Sequence, residues 1–272
     1  FQFHVVADSR LNAFAVPGGH IFVHTGLIET ADTLDELAGV IAHEVAHITQ
    51  RHIARRMASA QRTQLSTLLL AMAGIAAGMQ GQGEAAEALI LGAGAYNQQQ
   101  MLAYSRDHER EADRLGIQYL ARAGYDPEGL PHFLEKLQDW SQLQGTSPAP
   151  YLSTHPLTGE RVADAQGRVA QLQGAAETEP LSEAAFQRIR AKTRALTQAP
   201  EGALAHFREQ VADHPQDSAA RYGLAMALGR AGHEDEAERT LRGLVDDHPE
   251  TVAFHRELGN LLLHGGAAGQ AA

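Results

Sequence analysis

β-Branched and aromatic residues crowd residues 1–6 (FQFHVV) and 13–24 (AFAVPGGHIFVH), and Asp8-Ser9-Arg10 and Pro17-Gly18-Gly19 punctuate them. That pattern predicts a few short strands at the start of the chain. From residue 33 the apolar spacing changes to a helical period. Thr33-Leu34-Asp35-Glu36 has the form of a capping box, and it predicts a helix running to about Met57. Helical patterns return over 84–96 and 101–123, and again from Pro127 to Trp140. After the loop 145–150 (GTSPAP), a short helix from about Gly159 closes the first domain, and 174–180 (GAAETEP) reads as a linker.

Residues 63–83 contain no charge, and their apolar heart, 65–79 (LSTLLLAMAGIAAGM), is 15 residues long. That is short of the ~20 needed to span a bilayer. The Gly74/Gly78 pair suits close packing inside the domain. The other reading makes Leu65 to Met79 a lid, or a peripheral contact with a membrane surface.

Beyond the linker, Asp213-His214-Pro215 recurs as Asp247-His248-Pro249, a spacing of 34 residues. That is the tetratricopeptide period. In this register Leu224, Ala225, Leu228, Ala237, Leu241 and Leu244 fall on the small or apolar positions. One period earlier the same frame selects Ala191, Ala203 and Phe207, and one period later Leu258, Gly259 and Leu262. The expected fold is α+β and predominantly α. A first domain at 1–173 carries a small N-terminal sheet, a linker covers 174–180, and a partial tetratricopeptide solenoid fills 181–272.

Composition narrows the function classes. The 272 residues are 44% hydrophobic and 20% charged, as in ordinary globular proteins. The net charge of −11 is shared almost evenly on either side of residue 170, so no basic surface is on offer and nucleic acid is excluded as a partner. With no cysteine there is no disulfide, thiolate ligand or cysteine nucleophile. The chain begins at Phe1 in a strand-like segment, as expected of a processed or trimmed chain from which any signal peptide would already be missing.

The chemistry concentrates in GVIAHEVAHITQRH, residues 39–52. His43 and His47 lie four apart and share a helix face, so both imidazoles can reach one metal ion. Glu44 projects about 100° away, where it can hold a water. Val40, Ile41, Ala42, Val45, Ala46 and Ile48 surround them with apolar groups. Three buried ionisable groups there need a compensating charge, and a divalent cation supplies it. Downstream, YSRDHEREAD (104–113) places Glu109 and Asp113 on one face of a second helix and turns Glu111 away. Glu109 is thus the expected third ligand, with Asp113 hydrogen-bonding a ligand histidine from behind. His4, His20, His24, His52, His108 and His132 have no partner at metal spacing and read as structural or solvated.

HEVAH followed by SRDHEREAD resembles the CAAX-prenyl-protease and HtpX-type zinc metallopeptidases. LNAFAVPGG (11–19) is similar to that family's strand beside the active-site helix, and THPLTGER (154–161) to its late His-Pro…Arg segment. The resemblance covers residues 3–165. Together with the repeats it points to a soluble, periplasmic branch of the family in Gram-negative bacteria. It implies one zinc ion per chain and hydrolysis of unfolded or misassembled outer-membrane proteins. A chaperone-like role and docking on the β-barrel assembly machinery through the repeats are further implications.

On that basis zinc sits on His43, His47 and Glu109, and Glu44 is the general base. Asp113 is second to the ligands or a proton donor. His155 is either a catalytic oxyanion donor or a fourth ligand that closes the resting site, and Arg161 is the other oxyanion candidate. Asn12, Ala13, Phe14 and Ala15 would hold substrate as an added strand. Two competing functions are a largely non-catalytic chaperone or adaptor with a latent zinc site, and a subunit of a membrane enzyme trimmed of its spans.

Overall fold

The computed structural model describes residues 1–79, 105–144, 150–172 and 182–264. The helix expected at 84–96, the first residues of that at 101–123, most of the loop 145–150 and the linker 174–180 lie outside them. Strands β1 (Gln2–Val6), β2 (Ala13–Val16) and β3 (His20–His24) form one sheet in the order β1-β3-β2. The turn between β2 and β3 uses Gly18 and Gly19 at φ +99° and +87°, a region open to glycine. A helix that the sequence pattern did not suggest, α1 (Thr25–Thr30), follows β3 directly.

Helix α2 (Leu34–Thr49) starts at the expected box. The Glu36 N–H donates to Thr33 Oγ1 (3.2 Å), and the Glu36 carboxylate accepts from the Asp32 N–H (2.8 Å). The helix does not reach Met57. Arg51 takes φ +53°, which breaks the i→i−4 ladder, and the chain restarts as α3 (His52–Met79). Next come α4 (described over 105–122), α5 (Gly129–Gln144), α6 (Pro150–Thr154) and α7 (Gly159–Val169). Among the described residues no helix is long and apolar enough to cross a membrane.

The chain divides into two compact units. The first comprises 1–4, 13–22 and 38–178; the second comprises 5–12, 23–37 and 179–272. The first unit buries Ala42 of α2, Ile117 and Leu120 of α4, Leu130 and Leu134 of α5, and Val162 and Ala165 of α7 in one cluster. Two glycines let the helices close up. A Cβ on Gly39 would lie 2.9 Å from the Leu130 backbone, and one on Gly116 would lie 3.2 Å from His43 N. The second contact sets α4 directly against the metal-ligand turn of α2.

The second unit contains α8 (Glu183–Thr197), α9 (Pro200–Asp213), α10 (Ser218–Arg230), α11 (Glu234–Asp247) and α12 (Val252–His264). α10 packs on α8, α9 and α11, and α1 packs on α8. Of the positions picked out by the 34-residue frame, Ala203, Phe207, Leu224, Ala225, Leu228, Ala237, Leu241, Leu244 and Leu262 are all buried. Asp217 caps α10 through the N–H groups of Ala219 and Ala220, and Gly232 (φ +82°) turns the chain into α11.

Candidate metal centre

Four donor side chains from three segments of the first unit converge. His43 and His47 on α2 bring their Nε2 atoms within 2.9 Å of each other. From α4, Glu109 places Oε2 3.3 Å from His43 Nε2 and Oε1 3.4 Å from His47 Nε2. From the turn after α6, His155 Nδ1 stands 3.1 Å from Glu109 Oε2 and 3.3 Å from His43 Nε2. All four donors fit within 4.8 Å. Bonds of about 2.0–2.1 Å in a tetrahedron put neighbouring donors roughly 3.3 Å apart. The observed separations therefore suit one four-coordinate ion.

Charge points the same way. Glu44, Glu109, Asp113 and Arg161 are all buried. With the carboxyls ionised, three anions face one guanidinium, and the two charges left over match a divalent cation. The donor set, two imidazoles and a carboxylate with a third imidazole alongside, is one that zinc accepts.

Behind the ligands Asp113 Oδ1 lies 2.9 Å from His43 Nδ1, which holds the ring with Nε2 facing the other donors. Arg161 grips Asp113 with Nε and Nη2 at 2.8 Å each. Its Nη1 donates to the Pro156 carbonyl (2.8 Å) and lies 3.1 Å from Glu109 Oε2. The guanidinium thus faces the carboxylates.

These contacts spread the protonation equilibria. Burial alone would lower His43, but the hydrogen bonds and charges of Asp113 and Glu109 outweigh it and push His43 up to about 10. Burial and the neighbouring His43 hold His47 well below 6.5. Burial would raise Glu109, yet His155 and His43 hold it well below the usual carboxylate range. Glu44 is raised, first by burial and then by Glu109.

Glu44 faces the strand β2. The Ala15 N–H donates to its carboxylate, and its Oε1 lies 3.3 Å from His155 Nε2. Phe14, Ala15, Glu44, His47, Glu109 and His155 line a cavity of about 180 Å³. Ala13 is buried, and Asn12, just before β2, accepts the His24 N–H (3.0 Å) on its backbone carbonyl.

Four residues absent from the sequence-based set join the site. Tyr151 is buried and stacks on His155 at 4.5 Å. His52, Glu111 and His108 stand behind His47: His52 Nδ1 is 2.9 Å from His47 Nδ1, and His108 stacks on His52 at 4.2 Å. The sequence signal for His52 was its place five residues after His47, which a continuous helix would have wasted.

Comparison with known proteins places the chain in a family. The model of peptidase family M48 matches residues 1–169, and that of the tetratricopeptide repeat matches 197–269. The chain is 36% identical over 269 residues to the beta-barrel assembly-enhancing protease of Yersinia pestis, covering 93% of this chain and 52% of that one. It is 36% identical over 259 residues to the protein of the same name in Escherichia coli K12, with 92% and 51% covered. To the mitochondrial metalloendopeptidase OMA1 of Schizosaccharomyces pombe it is 30% identical over 178 residues, 65% of this chain and 49% of that one. The chain spans about half the length of these curated relatives.

Proposed function

This chain belongs to peptidase family M48 and carries a metallopeptidase domain followed by tetratricopeptide repeats, and from that premise we propose a zinc-dependent endopeptidase of the Gram-negative periplasm. Its substrates are unfolded or misassembled outer-membrane proteins, which the beta-barrel assembly-enhancing name of its relatives supports. The repeats serve as its chaperone-like surface and as its dock on the β-barrel assembly machinery. The observation that carries the catalytic assignment is the meeting of buried His43 and Glu109 with half-buried His47, with Glu44 beside them on a cavity edged by β2.

His43, His47 and Glu109 would hold zinc, which would supply a Lewis acid for water and the scissile carbonyl. Glu44 takes the proton of the attacking water and returns it to the leaving amine; burial raises its carboxyl, which suits it to both transfers. Ala15, hydrogen-bonded to Glu44, ties the general base to the strand on which Asn12 to Ala15 present substrate in extended form. Asp113 orients His43, and Arg161 anchors Asp113 and Glu109 instead of serving as the oxyanion donor.

His155 would close the resting site as a fourth residue holding the ion, stacked on Tyr151, and opening would take its imidazole away from the other three donors. Glu44→Gln tests the whole assignment. Hydrolysis of a model unfolded protein should fall by ~10²–10⁴-fold while zinc content stays at one per chain. Unchanged hydrolysis would sink the peptidase reading and favour the adaptor.

A further inference from the structure

We propose that His52 and Glu111 form a positioning pair for the ligand His47, resting on the metal site assigned above. His52 Nδ1 lies 2.9 Å from His47 Nδ1, and His52 Nε2 lies 3.1 Å from Glu111 Oε2. Two facing Nδ1 atoms share one proton. A metal on His47 Nε2 leaves that proton on His47 Nδ1, so His47 donates and His52 accepts. His52 then carries its own proton on Nε2 and donates it to the Glu111 carboxylate. One pattern of neutral rings satisfies both contacts, and it is the pattern that aims the His47 lone pair at the ion.

The surroundings hold that pattern in place. His52 is buried, and His108 lies flat against it, 4.2 Å away at an interplanar angle of 8°. Arg55 Nη1 donates to Glu111 Oε2 at 2.8 Å. The arrangement parallels the other ligand: His43 is backed by Asp113, which Arg161 anchors, and His47 is backed by His52 and Glu111, which Arg55 anchors.

Backbone strain points to the same pair. In an unbroken helix a residue five positions on is turned about 140° away around the axis. The break between α2 and α3 instead brings His52 back onto His47, and it places Arg51, not a glycine, at φ +53°. That conformation is strained for an L-residue. A non-glycine residue persists there only where the surrounding structure holds it. On this proposal His52 does more than the structural or solvated role its spacing suggests.

The test is zinc affinity, by competition with a chromophoric chelator, on the full chain and its His52→Leu, His52→Asn, Glu111→Leu and His47→Ala variants. Loss of such a partner weakens metal binding by about 10–100-fold. His52→Leu and Glu111→Leu should fall in that range. His52→Asn, whose amide oxygen can accept where Nδ1 did, should recover most of the loss. In parallel, ¹⁵N spectra of the His47 ring should lose the Nδ1–H tautomer's dominance in the metal-free His52→Leu variant and keep it in His52→Asn. Equal affinities in His52→Leu and the parent, or equal weakening in the Leu and Asn variants, would overturn the proposal. Parent-like affinity in His47→Ala would instead overturn the metal site on which it rests.

Discussion

Loading zinc onto the metal-free protein should expel the proton that His43 holds. Of His43, His47 and Glu109, His47 is held well below 6.5 and Glu109 well below 4.5, so at pH 7 neither holds a proton that zinc must expel. His43, pushed up to about 10 by Asp113 and Glu109 against the effect of burial, does carry one, and zinc must displace it. Competition over three pH units costs about 4 kcal/mol at pH 7.

The sign follows. A histidine whose folded pKa lies above its ordinary value of 6.5 stabilises the metal-free fold below that value, and the contribution is lost as pH rises towards 10. Zinc affinity moves the opposite way and should tighten close to tenfold per pH unit between 6.5 and 8.5. Calorimetry at pH 7.5 in two buffers of different ionisation enthalpy counts the released proton, and chelator competition gives the slope. Asp113→Asn removes a main cause of the upward push and should flatten the slope. Zinc uptake with no proton release, or an affinity flat across this range, would refute the linkage.

The resting closure by His155 predicts that His155→Ala raises cleavage of a protein substrate at unchanged zinc content; a clear fall in activity would make His155 an oxyanion donor instead. Gly39→Ala should cost ~1–3 kcal/mol by overpacking against the Leu130 backbone, seen as a lowered thermal midpoint of the zinc-loaded protein, and an unchanged midpoint would contradict the contact. Leu65, Leu68, Leu69, Met72 and Ile75 form an exposed stripe at helical spacing on α3. If this is a membrane-surface contact, Leu68→Glu with Leu69→Glu should abolish co-flotation with vesicles of zwitterionic lipid, and equal flotation by the parent and the variant counts against it.

Much of the repeat unit was legible because it is written locally. Each hairpin repeats its own small and apolar positions every 34 residues, and burial of Ala203, Leu228 and Ala237 follows from that register whatever precedes it. His43, Glu44 and His47 were legible for the same reason, since four residues on one helix fix a shared face. The gathering of Glu109 with them was readable as a pattern, but its 3.3 Å approach to His43 depends on α4 packing against α2 across Gly116, which no local spacing records.

Three features needed the tertiary structure. Helix α1 carries no strong signal of its own in six residues and owes its existence to packing, since short helices are marginal in isolation. Arg161 reads in sequence as an oxyanion candidate, and only the folded chain turns it onto Asp113 and Glu109. The break at Arg51 is invisible because nothing in TQRH forbids a helix, whereas the folded chain brings His108 and Glu111 from another segment onto the next residue, His52. Sequence determined which groups could bind a metal, because residue type and helical period are local. Tertiary structure decided which groups stand behind them, because hydrogen bonds between distant segments depend on how helices pack.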